Sequence, residues 1–165
     1  MITLYLATDH AGFEHKEYLK NFLKSKEGIT VIDCGAEHYD ATDDYPEFIS
    51  TAAREVSQDP FARAVIFGGS GQGEAMVANK FPNVRATVYY GHERDIIELS
   101  REHNDANILS IGARFVEPEE MTSVVERWLD LSFSGEERHV RRIEKISRIE
   151  ASLYSFITKL RSRIK

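Results

Sequence analysis

Short apolar runs alternate with longer amphipathic stretches along almost the whole chain. Residues 2–7 are apolar and partly β-branched, which predicts a strand. Over residues 13–26, Phe13, Tyr18, Leu19, Phe22 and Leu23 recur near helical spacing with Lys and Glu between them, predicting an amphipathic helix that Gly28 ends. A second strand is expected over 29–33, then a polar, acidic loop over 35–45. Pro46 suits a helix first turn, and 48–56 continues that helix. Residues 62–67 end in four consecutive apolar positions, as a buried parallel strand does. A glycine cluster and a helix over about 73–80 follow. The pattern then predicts a strand at 84–89, a helix at 93–102, a strand at 107–111 and a helix at 117–131 that turns Val124, Val125, Trp128 and Leu129 inward. Ser134-Gly135 breaks the pattern, and 136–165 reads as one long final helix. Strands alternating with helices imply parallel βαβ units and an α/β fold in three layers, with ligands at the carboxyl ends of the strands.

The length of 165 residues predicts one domain over 1–165, with enough chain to bury a core. The net charge of −6 hides an asymmetry. Residues 1–133 carry 12 basic and 23 acidic residues, whereas 134–165 carry 9 basic and 4 acidic. An acidic body argues against nucleic-acid binding, and a basic end leaves room for an anionic ligand or an acidic partner surface. The single cysteine, Cys34, excludes an internal disulfide and a Cys-based zinc site. No basic region precedes a long apolar run at the start, and no stretch approaches the ~18 apolar residues of a membrane span. The expectation is a soluble, cytoplasmic protein.

The strand ends carry the candidate chemistry. Asp9-His10 at the end of the first strand can hold a sugar hydroxyl and move a proton; they can also be an N-cap and a surface residue. The third strand runs into Gly68-Gly69-Ser70-Gly71-Gln72-Gly73-Glu74. Gly68 and Gly73 have the spacing of a nucleotide-binding loop, but Glu74 stands where that loop needs Lys, and a carboxylate repels phosphates. The dinucleotide pattern also fails, because Glu74 replaces its third glycine. What remains is an oxyanion-holding loop with a hydroxyl, Ser70, and a carboxylate, Glu74. That set suits proton abstraction next to a carbonyl, although Glu74 could equally favour a helix start electrostatically. His103 and Asn104 precede the fifth strand, at the end facing away from the ligand crevice; they are structural or serve a neighbouring subunit. Arg114 follows that strand. Arg138 and Arg142 share one helical face and make either a phosphate clamp or a solvated basic face. Behind them Ile146, Ile149, Leu153, Phe156, Ile157, Leu160 and Ile164 form an apolar stripe that a second subunit would bury. Arg161, Arg163 and Lys165 read as solvated charge.

Taken in order, Asp9-His10-Ala11-Gly12, Asp44-Tyr45-Pro46, Gly69-Ser70-Gly71-Gln72-Gly73-Glu74, Ala78-Asn79-Lys80, His103-Asn104-Asp105-Ala106-Asn107 and Arg138-His139 with Arg142 resemble the type B ribose-5-phosphate isomerases. Their family also contains galactose-6-phosphate isomerase subunits. The resemblance covers about residues 3–145. It implies a Rossmann-like α/β/α sandwich with five parallel strands, and a homodimer, sometimes paired into a tetramer, with active sites at the interface. The C-terminal helix, about 134–165, would serve dimerisation. It further implies interconversion of ribose 5-phosphate and ribulose 5-phosphate in the non-oxidative pentose phosphate pathway, without metal or cofactor. One branch of the family has a cysteine base where this chain has Gly68. The chain resembles the other branch, whose base is at Glu74; Asp33-Cys34-Gly35-Ala36 with Tyr39-Asp40-Ala41 resembles that branch too. By resemblance, Glu74 moves the proton, and Ser70 with the amides around Gly71–Gly73 holds the enediolate. His103 from the partner opens the furanose ring. Asp9, Tyr45, Gly69 and Asn104 bind sugar, while His10, Arg138 and Arg142, with Arg114, hold phosphate. Two other readings stay open: a hexose-6-phosphate isomerase acting on allose or galactose 6-phosphate, and a non-catalytic sugar-phosphate sensor.

Overall fold

The computed structural model describes residues 1–93 and 95–163, with side chains as far as Leu160. Five strands, β1 (Ile2–Thr8), β2 (Ile29–Asp33), β3 (Arg63–Gly68), β4 (Ala86–Tyr89) and β5 (Ile108–Gly112), form one parallel sheet in the order β2-β1-β3-β5-β4. The helices are α1 (Phe13–Leu23), α2 (Tyr45–Gln58), α3 (Gln72–Ala78), α4 (Asp95–Glu102), α5 (Pro118–Asp130) and α6 (Glu137–Arg163). The central strands β3 and β5 are apolar on both faces because helices cover both. On one side Leu4, Leu6, Val65, Phe67, Leu109 and Ile111 pack with Leu19, Leu23, Val125 and Trp128 of α1 and α5. On the other, Ala7, Ala64, Ile66 and Ile108 pack with Ile49, Ala52, Ala53 and Val56 of α2 and Ala78 of α3. This is the expected three-layer sandwich.

The expected elements are all present, with ends moved by side chains that cap the backbone. α1 stops at Leu23 rather than 26, because there the backbone N–H groups of Lys24 and Lys26 turn to the carbonyls of Asn21 and Leu23 in tight turns. α3 stops at Ala78, where the Asn79 amide turns to bond both N and O of Ala86, so β4 begins there and not at 84. Asn107, expected to open β5, instead bonds Arg85 N (2.8 Å) and Asn83 O (2.8 Å) through its side chain. α4 begins at Asp95; Arg94, inside the expected helix, lies outside the described residues. Gly135, with φ 68°, makes the expected break before α6. No helix among the described residues is long and apolar enough to cross a membrane.

The strand order places the ligand crevice. From β1 the chain steps outward to β2 and then returns to the opposite side as β3, so the topology reverses between β1 and β3. Ligands bind outside the carboxyl ends of strands at such a switch point. Thr8 pairs with Phe67 there, and Gly68 with Gly112. Asp9-His10 and the glycine loop therefore leave the sheet side by side.

Candidate active site

At the switch point lies a cleft of about 360 Å³, lined by Asp9, His10, Tyr45, Gly69, Ser70, Gly73, Glu74, Arg114 and Phe115. A side chain on Gly68 has no room here: its β-carbon would fall inside the Glu74 carboxylate. The carboxylate thus reaches back from the first turn of α3 to the end of β3. Gly71, at φ 76°, makes the turn that allows this, and packs against Ser110 and Gly112. Gly71 therefore shapes the loop from behind. Gly69 and Gly73 are the glycines facing the cleft, beneath the Arg114 guanidinium and the Tyr45 hydroxyl respectively.

Glu74 is only 5% exposed. Burial pushes its carboxyl above the ordinary range, and the nearby Asp9 charge adds to this. A carboxylate whose pKa is raised in this way is a stronger base and accepts a proton more readily near neutral pH. Ser70 is exposed, and its hydroxyl accepts from Gln72 N at 3.4 Å. Asp9 combines both roles considered for it: it lines the cleft, and its carboxylate accepts from Ala11 N at 2.9 Å, capping the short turn His10–Gly12. His10 is more than a surface residue, since Asp43 holds it from the loop before α2, at 2.9 Å from the backbone N–H and 2.7 Å from Nδ1. The donor atoms of Asp9, His10 and Asp43 lie within 4.8 Å of one another. The direct 2.7 Å contact between Nδ1 and Oδ1, however, leaves no space for an ion between these two groups.

Other expected site residues do not join this cleft in the same chain. His103 and Asn104 lie before β5, at the opposite end of a strand roughly 15 Å long. His103 stacks on His139, with ring centroids 4.1 Å apart and planes 14° from parallel. Burial, followed by the neighbouring His103 charge, lowers the pKa of His139. The His139 Nε2 is buried with no hydrogen-bond partner among the described residues. Arg138 pairs with Glu136 at 2.8 Å, and Arg142 lies exposed on α6. The protein thus presents two clusters: an acid, base and hydroxyl set at the strand ends, and an imidazole and guanidinium set at the far end. Asp43 and Phe115 went unread in the sequence. Asp43 sits among three other acids of an acidic loop and is joined to His10 only across 33 positions.

The ribose/galactose isomerase family model matches residues 4–146. Ribose-5-phosphate isomerase B of Mycolicibacterium paratuberculosis is 40% identical over 147 residues, covering 89% of this chain and 91% of that protein. The protein of the same name from Escherichia coli is 37% identical over 142 residues, 86% of this chain and 92% of its own length. Among solved structures, ribose-5-phosphate isomerase B from Mycoplasma genitalium with bound ribulose-5-phosphate superposes with a TM-score of 0.85 at 34% identity, covering 91% of this chain and 97% of that one. The match spans both clusters and every strand, and on it the chain belongs to the ribose/galactose isomerase family.

Proposed function

We propose that this protein is an aldose–ketose isomerase that interconverts D-ribose 5-phosphate and D-ribulose 5-phosphate, with Glu74 as the base. The observation that carries the reading is the buried Glu74 carboxylate, pushed up in pKa, at the floor of the switch-point cleft. With the sugar open, Glu74 takes the proton from C2 of the aldose. The C–H electrons form the C1–C2 double bond, and the carbonyl oxygen becomes the enediolate oxygen. Glu74 then returns the proton to C1 while the C2 hydroxyl proton passes to the O1 oxyanion, leaving a hydroxyl at C1 and a carbonyl at C2. Ser70 lines the cleft and, with the amides of its loop, would stabilise that oxygen, while Asp9, Tyr45, Gly69 and Gly73, which line the same cleft, would border the sugar. His10 and Arg114 supply positive charge for the phosphate at the cleft rim. A cytoplasmic setting suits a pentose-phosphate enzyme with one free, half-buried thiol, Cys34. Turnover of ribose 5-phosphate, assayed beside allose 6-phosphate and galactose 6-phosphate, tests the substrate: the pentose phosphate is expected to give the highest kcat/KM, and a hexose phosphate turned over faster would overturn the assignment.

The second cluster fits a homodimer with shared sites. His103, Asn104, Arg138 and Arg142 are too far along the sheet to serve Glu74 of their own chain, so they would serve that of a second subunit. The apolar stripe of α6 supports this arrangement. Ile146, Ile149, Leu153, Phe156, Ile157 and Leu160 are all exposed. Beyond the His103–His139 stack at its start, the helix bonds to its own body through Tyr154 Oη to Lys80 O (3.2 Å) and Asn83 N to Glu150 Oε2 (3.0 Å). Beside these contacts runs an open groove of about 400 Å³. Ile164 and Lys165, expected in the stripe and the solvated end, lie outside the described residues, as do the side chains of Arg161 and Arg163. Mixing inactive Glu74→Gln chains with inactive His103→Ala chains is expected to restore activity, because half the sites of a mixed dimer combine the two intact residues. Verified mixed dimers that stay inactive would refute sharing.

A further inference from the structure

His10 is held by a residue that no motif of the chain marks. We propose that Asp43 is the positioning residue for His10: it fixes the imidazole by Nδ1, turns Nε2–H toward the cleft, and keeps the ring charged for the substrate phosphate. The inference rests on the proposed role of His10 in phosphate binding.

One carboxylate oxygen of Asp43 does two things. Oδ1 accepts the His10 backbone N–H at 2.9 Å and lies 2.7 Å from Nδ1. The backbone contact fixes where the ring starts and the ring contact fixes which way it faces. Only a ring bearing a proton on Nδ1 can donate to a carboxylate there. The other oxygen, Oδ2, is buried with no hydrogen-bond partner among the described residues, and the Asp43 side chain is only 12% exposed. A carboxylate with an unpaired buried oxygen is costly unless a counter-charge stands beside it. The cation placed to offset it is the His10 imidazolium.

The surroundings agree. Asp9 Oδ2 lies 3.9 Å from Nδ1, and Asp40 feels the His10 charge from the same loop as Asp43. Tyr39 meets the ring edge-on at 6.1 Å. Across the cleft stand Tyr45 of α2, Glu74 of α3 and Arg114 after β5. The Asp43 and Asp9 carboxylates favour the charged ring, and burial opposes it. The hydrogen bond that His10 donates to Asp43 is the largest influence, and the net effect raises the His10 pKa.

The loop is built to deliver Asp43. Lys16, fully buried, anchors its start through Asp33 (2.8 Å) and Ala36 O (2.6 Å). Further on, Asp40 accepts from Thr42 N (2.9 Å) and its hydroxyl (2.7 Å), turning the chain just before Asp43.

The test is the full enzyme carrying Asp43→Asn, which keeps the shape and removes the charge, beside His10→Asn and Thr42→Val. Thr42→Val disturbs the same turn without altering charge. In Asp43→Asn, the His10 ring signals, followed by NMR against pH, are expected to titrate at lower pH than in the wild type. KM for ribose 5-phosphate is expected to rise about tenfold above neutral pH, with kcat changed by less than about twofold. Acidification, which protonates His10 in both proteins, should narrow the KM gap. Thr42→Val should reproduce none of this. An unchanged His10 titration in Asp43→Asn would overturn the proposal, and so would a KM rise that Thr42→Val shares and pH does not alter. If His10→Asn leaves KM unchanged, the phosphate-binding role of His10 fails, and with it the phosphate part of the proposal; the NMR titration still reports separately whether Asp43 holds and charges the ring.

Discussion

Replacing Glu74 with Gln is expected to lower kcat by at least ~10²-fold while leaving KM for ribose 5-phosphate within about threefold of the wild-type value. The amide has the carboxylate's shape but cannot take a proton from carbon. The pH dependence adds a second signature. Burial raises the Glu74 pKa, so the acid limb of kcat/KM is expected above the ordinary carboxylate range. Below that limb Glu74 is protonated and idle; above it the base is available. The residual rate of Glu74→Gln should lack the limb. Stability should move the opposite way. A carboxyl whose pKa is higher in the fold than in the unfolded chain costs stability once pH passes the unfolded value, so Glu74→Gln should unfold at an equal or higher temperature at neutral pH. Wild-type turnover by the variant would remove Glu74 from the chemistry.

Gly68→Ala is the second large effect. The added β-carbon would occupy the space of the Glu74 carboxylate, and Gly68 itself is buried at the end of β3, with no slack behind it. The carboxylate must move by about the width of a methyl group. Displacement of a reacting group on that scale costs about 10²-fold in rate. Kinetics on a folded sample, checked by circular dichroism, should show the loss mainly in kcat. A Gly68→Ala enzyme with the wild-type kcat would mean that the carboxylate position seen here is not the reactive one. The same overlap explains why the position before the glycine loop and the position of Glu74 cannot both carry a large side chain: the two compete for one volume.

The sheet and its cleft were legible in the sequence for a physical reason. β3 and β5 are buried on both faces, so their apolar runs stand out, and strand ends at a switch point are where ligand groups must be. Asp9, His10, Ser70 and Glu74 all lie on such ends and were found there. Element ends were less legible where one side chain decides them. Asn79 and Asn107 displace the starts of β4 and β5 through side-chain amide hydrogen bonds that no periodicity records. Asp43 was hidden for the same reason on a longer scale, since its partner is 33 positions away and the acids around it look equivalent. His103, Arg138 and Arg142 are recognisable as motifs. In the proposed shared-site dimer their place in the chemistry would depend on a second subunit, and a single chain's hydrophobic pattern contains no register between two copies beyond the exposed stripe of α6.

Proton transfer through Glu74 is most directly measured by solvent labelling. Ribose 5-phosphate incubated in D₂O with the wild-type enzyme should gain deuterium at C2, and the ribulose 5-phosphate formed should gain it at C1, in the proportion in which the proton held by Glu74 exchanges with solvent before it is returned. Glu74→Gln should incorporate label at least ~10²-fold more slowly. Labelling or isomerisation by Glu74→Gln at the wild-type rate would contradict the account.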